Sequence, residues 1–269
     1  MQITFLIVLF ILGTAFGSFL CCQARRLRYH ETHKKSDKLG SRSICLHCRY
    51  QLKWYDNIPI LSWLFLRGKC RKCHKGIGYG EFLSELGVGL AFLTLAIGSG
   101  VQFENLLVYP MEFVFLGVAL IFILVLSFLA IYDGLYGELP TVWLAVAIIM
   151  GLAIAVSRII INHEWESIGV SIGSTLISVA ILGGLYLVLY KISKGKWVGD
   201  GDWLLGTAIG LALGSPWLAT ITLFIANLTA CITALPFLKK HPKIHLGPFM
   251  VIAFVITLSF STFFNSLLP

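Results

Sequence analysis

The sequence predicts an all-α polytopic membrane protein of about eight transmembrane helices with one small cytosolic loop domain. Three observations carry that prediction. The 269 residues are 57% hydrophobic and only 13% charged, with a mean hydropathy of +0.85, a balance poorly suited to a soluble single-core protein. The apolar residues gather in long uncharged runs. All of the 21 Lys and Arg residues except Arg158 fall in segments that one topology places on a single side, which is the bias that orients membrane proteins.

Ile3 to Cys22 is the first run, free of charges and followed rather than preceded by basic residues. That order argues against a cleaved signal peptide and for a retained span whose C-terminal end is cytosolic. Three domains are expected: residues 1–22 as the first transmembrane helix, 23–81 as the cytosolic loop domain, and 82–269 as the main transmembrane domain.

The remaining runs are Phe82 to Phe103, Phe113 to Tyr132, Val142 to Ile161, Ile168 to Tyr190, Trp203 to Leu235 and Phe249 to Leu268. Most can cross a hydrocarbon core of roughly 30 Å at about 1.5 Å per residue. Gly214-Ser215-Pro216 interrupts the sixth run, and Lys191, Lys194 and Lys196 before it and Lys239, Lys240 and Lys243 after it are all expected inside. The run must then cross twice, which makes eight spans. Its first piece, Trp203 to Leu213, is short, so local thinning, a tilted neighbour or a water-filled approach is expected there.

This topology puts both chain ends outside and the segments 23–81, 133–141, 191–202 and 236–248 inside. Arg158, near the outer end of the fourth run, is expected to snorkel to the headgroups, and Glu104, Glu112, Glu164 and Glu166 populate the outer loops. The net charge of +8 is therefore a topology signal and an attraction to anionic membrane lipid. A basic loop without a recognisable reading module predicts no nucleic-acid partner.

The same topology places Asp133 and Asp202 on one side of the membrane. Asp133 closes the third run, and Asp202 follows Gly199-Asp200-Gly201 and opens the sixth. An ionisable group at the end of an apolar segment has a water-facing position or a function. Two of them suggest a pair, although Asp202 also suits the N-cap of a helix. The residues alone leave three readings open. The aspartates form a hydrolytic dyad, or they relay protons or bind a cation in a transporter, or they are idle in an assembly scaffold. Against transport, they stand at span ends and no inverted repeat is evident.

In the cytosolic loop, Cys45-Leu46-His47-Cys48 and Cys70-Arg71-Lys72-Cys73 form two C-x-x-C pairs with 49–69 between them. Four thiolates close a tetrahedral structural zinc site, with Cys45, Cys48, Cys70 and Cys73 as ligands and no open position for catalysis. The alternatives are redox dithiols or incidental cysteines, and a cytosolic face disfavours disulfides. His47 and His74 are expected in solvent, and Cys21, Cys22 and Cys231 as small packing residues. Between the pairs, Trp54-Tyr55-Asp56-Asn57-Ile58-Pro59 suits a turn at headgroup level.

These features together resemble the type IV prepilin peptidase family, aspartic membrane proteases with a G-x-G-D motif that serve pilus, type II secretion and competence systems. The resemblance rests on the paired C-x-x-C motifs around Trp54 to Pro59, Gly17-Ser18-Phe19-Leu20, Leu83-Ser84-Glu85-Leu86, Asp133 before Leu139-Pro140, Gly199-x-Gly201-Asp202, and Gly247-Pro248-Phe249, in family order along the whole chain. The chain departs from the family at Cys21 and Cys22, where Asn and Val are frequent. It departs again at Thr141, where many members have Asp, and at His245, where a proline often stands.

What the resemblance implies is specific. Asp133 and Asp202 match the two catalytic aspartates, residues 82–269 become a transmembrane aspartic peptidase domain, and Asp200 fills the motif's variable position. The substrates would be prepilin-like single-span precursors, cut behind a short basic leader at the cytosolic face of a bacterial inner membrane. A second activity is implied, methylation of the new N-terminus with S-adenosylmethionine, served by the cytosolic loop. No glycine-rich nucleotide fingerprint accompanies it, and no residue is assigned to that cofactor.

Chemically, one carboxylate would activate water while the other donates a proton, the pair holding one proton between them. Gly199 and Gly201 would let the backbone bend and an extended substrate approach. Glu85 would pair with a cation of the loop or contact the substrate's leader or new N-terminus. The oligomeric state is not written in these residues.

Overall fold

The computed structural model describes residues 1–32, 43–45, 47–102, 110–161, 168–234 and 245–267. Lys34, Lys35, Lys38, Arg42, Leu46, Glu104, Glu164, Glu166, Lys239, Lys240 and Lys243, which entered the topology argument and the motifs above, lie outside them. Among the described residues the chain is helical, with only two isolated β-bridges, Ile44 with Gln51 and Lys69 with Gly76.

Among the described residues six helices are long and apolar enough to cross a membrane. They are α1 (Gln2–Thr32), α3 (Gly80–Gly98), α4 (Pro110–Tyr136), α5 (Thr141–Ile161), the continuous rod of α6 (Ile168–Val179) and α7 (Leu185–Ser193), and α9 (Pro216–Ala234). Two shorter apolar helices, α8 (Asp202–Leu213) and α10 (Gly247–Ser259), complete eight. The short α2 (Leu61–Phe65) lies in the polar loop, and α11 (Ser261–Ser266) follows α10. Large apolar side chains such as Ile7, Ile121, Val142, Ile149 and Phe224 face outward along the spans, as lipid contact requires.

Several boundaries differ from those the runs predict. Helix α1 continues ten residues past Cys22, because the polar turns from Gln23 are held by Arg25 with Glu81 of α3 and by Arg28 with Glu138 (2.7 Å). Helix α3 stops at Gly98, followed by Gly100 at φ +68°. The last run does not form one helix from 249 to 268. It breaks between Ser259 and Ser261, where the backbone of Ser259 lies so close to Gly98 that no side chain fits between them.

Small residues set the tight packing. Gly13-Thr-Ala-Phe-Gly17 seats α1 on α3, with a methyl on Gly17 standing 2.5 Å from the Ser84 carbonyl. Gly206-Thr-Ala-Ile-Gly210 seats α8 on the α6–α7 rod, where a methyl on Gly206 would stand 2.6 Å from the Leu182 carbonyl. Both are small-xxx-small patterns that let helix backbones approach in membranes. The rod answers with a π-helical turn over Ala180–Gly184 facing α8, a local widening of a kind often found at functional sites.

Helix α8 packs against α5, the α6–α7 rod, α9 and α10. Twelve residues span about 18 Å, less than a bilayer core, and the Gly214-Ser215-Pro216 break behind it follows the expectation. Its far end is closed by Arg158, whose Nη1 donates to the carbonyls of Leu213 (2.8 Å) and Ala212 (3.2 Å). The last carbonyls of a helix have no intrahelical donor, and Arg158 meets that need, a role that the expectation of snorkelling did not include. Among the cysteines expected to be packing residues, Cys21 is buried and Cys22 half-buried, whereas Cys231 on α9 is exposed.

Candidate active site

Asp133 stands in the last turn of α4. The chain then reverses through Gly137 at φ +70°, whose N–H donates to the Asp133 carbonyl (2.7 Å), the left-handed exit typical of helix C-termini. Asp133 is 5% exposed, and its Oδ2 accepts the N–H of Gly247 (2.9 Å), the first residue of α10. That first turn of α10 offers unpaired backbone donors and a positive dipole end.

Asp202 is the first residue of α8 and is also 5% exposed. It is not the N-cap. That position belongs to Gly201, and the Asp202 Oδ2 instead reaches back to accept the N–H of Gly199 (2.7 Å). Neither Gly199 nor Gly201 has positive φ, so the motif does not need glycine for a bend. Close approach explains both: a methyl on Gly199 would stand 3.2 Å from Asp202 Oδ2, and one on Gly201 would stand 2.6 Å from Leu139.

The two aspartates, 69 residues apart in sequence, face one cavity of about 410 Å³. Its walls are the α4–α5 turn around Leu139, the segment from Gly195 to Gly201, and His245 with Leu246. Asp200 is exposed on this wall. His245, to which the sequence assigns no role, brings its Nδ1 to 3.7 Å from Asp133 Oδ1. Its ring covers Gly137 so closely that a side chain there would collide. Each aspartate thus accepts one backbone amide through Oδ2, and both line the same chamber.

The four loop cysteines converge as their spacing predicts. Their sulfurs all lie within 4.8 Å of one another, with Cys45 to Cys73 at 3.9 Å and Cys48 to Cys70 at 4.0 Å. A tetrahedron of Zn–S bonds of about 2.3 Å needs edges close to these. The two knuckles repeat one geometry. Cys45 O accepts from Arg49 N and Cys70 O from His74 N, both at 2.9 Å, with Arg49 and His74 at φ +55° and +56°. His47 and His74 are exposed.

The string after the first knuckle is built around Asp56. Its carboxylate accepts from Arg71 Nε (2.7 Å) and from the Lys53 N–H (3.1 Å), which ties the Trp54–Asn57 turn to the second knuckle. Among the described residues Glu85 of α3 has no ion pair with a cation of the loop. Its Oε2 accepts the N–H of Ile60 (2.7 Å), a residue at φ +62°, and so pins the loop to the membrane helices.

The family model described as Bacterial Peptidase A24 N-terminal domain matches residues 11–98. The chain is 32% identical over 214 residues to the prepilin leader peptidase/N-methyltransferase of Dichelobacter nodosus, covering 78% of this chain and 68% of that protein. A protein of the same name from Aeromonas hydrophila is 31% identical over 224 residues, 79% of this chain and 69% of the relative. In that of Myxococcus xanthus the match is 38% over 100 residues, 37% of this chain and 28% of the relative. No solved structure matches.

Proposed function

The chain belongs to the prepilin leader peptidase/N-methyltransferase family, and from that premise we propose that it is an aspartic endopeptidase whose dyad is Asp133 and Asp202. The observation that carries the reading is the convergence of two buried carboxylates, from opposite ends of α4 and α8, on one chamber. The substrates are prepilin-like precursors with a basic leader and an apolar helix, and the cut falls at the cytosolic face of the bacterial inner membrane. Both chain ends then lie outside.

Two carboxylates facing one poorly solvated chamber hold a single proton between them, since both cannot ionise cheaply. The ionised one takes a proton from the attacking water, and the protonated one donates to the scissile carbonyl oxygen. The amides of Gly247 and Gly199 hold the carboxylates in place while the proton moves. A helical substrate hides its peptide bonds, so a glycine before the cut, which weakens the helix, exposes the bond at the chamber mouth.

Cys45, Cys48, Cys70 and Cys73 hold a structural zinc that ties residues 43–77 into one unit. The second activity is transfer of a methyl group from S-adenosylmethionine to the freed N-terminus. The test of the dyad is cleavage of a pilin-like precursor by purified protein in liposomes, comparing the parent with Asp133→Asn and Asp202→Asn. Both variants are expected to fold and to lose cleavage. Cleavage that survives either substitution overturns the dyad and favours a transport role for the two aspartates.

A further inference from the structure

The two aspartates are held alike but not surrounded alike. Each gives its Oδ2 to one backbone amide, that of Gly247 for Asp133 and that of Gly199 for Asp202. On the Asp133 side a histidine stands as well. His245 Nδ1 lies 3.7 Å from Asp133 Oδ1, too long for a hydrogen bond but within ion-pair reach. Asp202 has no ion pair among the described residues.

The backbone prepares this contact from two directions. His245 precedes Gly247 by two residues, so the segment entering α10 offers its ring near one carboxylate oxygen of Asp133 and its amide to the other. Gly137, at φ +70°, leaves the space that the ring fills, because a side chain there would collide with the imidazole. The ring lines the chamber, yet the His245 side chain is 46% exposed and open to protons from water. Imidazole is the side chain that changes charge between about pH 5 and 8.

The other charged groups on the chamber wall are Glu138 of the α4–α5 turn, and Lys196 and Asp200 of the segment before α8. Glu138 is paired with Arg28. Neither Lys196 nor Asp200 makes an ion pair with the aspartates, so among the described residues His245 is the cation within ion-pair distance of the dyad.

The dyad reading of the preceding section, on which this inference rests, has two carboxylates sharing one proton. A cation beside one of them favours its ionised form. We propose that His245, as the imidazolium, is a positioning residue that places the negative charge on Asp133, so that Asp133 is the base and Asp202 carries the proton.

Water then attacks the scissile carbonyl carbon. Its oxygen forms the new C–O bond, its proton passes to Asp133, and the Asp202 proton goes to the carbonyl oxygen. As the resulting diol collapses the C–N bond breaks, the leaving nitrogen takes the proton from Asp133, and a diol hydroxyl returns one to Asp202. The dyad ends as it began, and His245 bonds to no substrate atom.

The experiment measures cleavage of a pilin-like precursor by full-length protein in liposomes across about pH 5 to 8, for the parent, His245→Gln and His245→Lys. His245 is exposed enough that both variants are expected to keep the parental thermal midpoint, and His245→Ser supplies the neutral side chain if His245→Gln does not. In the neutral variant the acid side of the kcat profile is expected to move up by about one pH unit, a roughly tenfold loss at the acid end, with KM little changed. His245→Lys, cationic throughout, is expected to keep the parental acid side. A ring that served only as packing would give neither result. The infrared band of protonated aspartate, isolated by isotope labelling, is expected at about pH 6 to vanish in Asp202→Asn and to persist in Asp133→Asn.

An acid side unmoved in the neutral variant, or moved equally in His245→Lys, overturns the role of His245. A band lost in Asp133→Asn and kept in Asp202→Asn overturns the assignment of base and acid. Cleavage that survives Asp133→Asn or Asp202→Asn is a different failure, which removes the dyad and this inference with it.

Discussion

Arg158 and Leu213 join two helices at the end of α8 farthest from Asp202, the guanidinium donating to the Leu213 carbonyl at 2.8 Å. The neighbouring Ala212 carbonyl and the Thr175 hydroxyl accept from the same group. A helix too short for the bilayer is thereby closed at one end by an arginine and opens at the other on the aspartate chamber.

Arg158→Leu strips donors from part-buried carbonyls at the end of α8, at a cost of about 1 kcal/mol or more. The thermal midpoint in nanodiscs is expected to fall, and cleavage with it, because α8 carries Asp202. Arg158→Lys, with one donor group on a flexible stem, is expected to recover only part of both. A midpoint unchanged in Arg158→Leu sinks this account of the helix end.

Gly247 and Gly134 test how closely α10 approaches Asp133. A methyl on Gly247 would stand 2.7 Å from Asp133 Oδ2, whereas one on Gly134 would meet Pro248 at an ordinary 3.6 Å. Gly247→Ala is expected to displace the carboxylate and cut the cleavage rate by about a hundredfold, the scale of a misplaced catalytic group. Gly134→Ala is expected to stay near the parental rate. Equal effects of the two would show that the Gly247 contact does not position Asp133.

Metal analysis of the purified protein is expected to find one zinc per chain. Cys45→Ser or Cys73→Ser should lose it, since structural sites need all four ligands. Chelation should likewise make the segment 43–77 sensitive to proteolysis while the membrane helices survive. Zinc retained after either substitution would remove the four-cysteine assignment.

Arg71 and Arg28 make ion pairs of the same length, 2.7 Å, in different surroundings. The Asp56 side chain is 1% exposed, whereas Glu138 is 59% exposed. Arg71→Ala leaves a buried carboxylate short of its partner and is expected to destabilise the loop by about 1–3 kcal/mol. Arg28→Ala removes an exposed pair and is expected to have a smaller effect. Proteolysis rates within 43–77 compare the two, and a larger effect from Arg28→Ala would contradict the ranking.

Much of this was legible in the residues because it depends on composition and short spacing. Apolar runs must become helices in lipid, since no other local structure satisfies the backbone. The break at Gly214-Ser215-Pro216 and the convergence of Cys45, Cys48, Cys70 and Cys73 follow from neighbours a few positions apart. Two further local signals, Gly13-x-x-x-Gly17 and Gly206-x-x-x-Gly210, mark close helix contacts and were available in the sequence. The ends of helices were less legible. Gln23 to Thr32 stays helical because distant acidic residues hold its arginines.

What only the tertiary structure decided is which polar groups meet. The sequence by itself determined that Asp133, Asp202, Glu85 and Arg158 lie at or near the ends of apolar helices. It did not assign His245 and the Gly247 amide to Asp133, the Gly199 amide to Asp202, the Ile60 amide to Glu85, or the last carbonyls of α8 to Arg158. Those partners come from how the helices pack against one another. A buried charge accepts whatever donor that packing brings within about 3 Å, and the packing is set by close contacts between backbones that no single stretch of the chain contains.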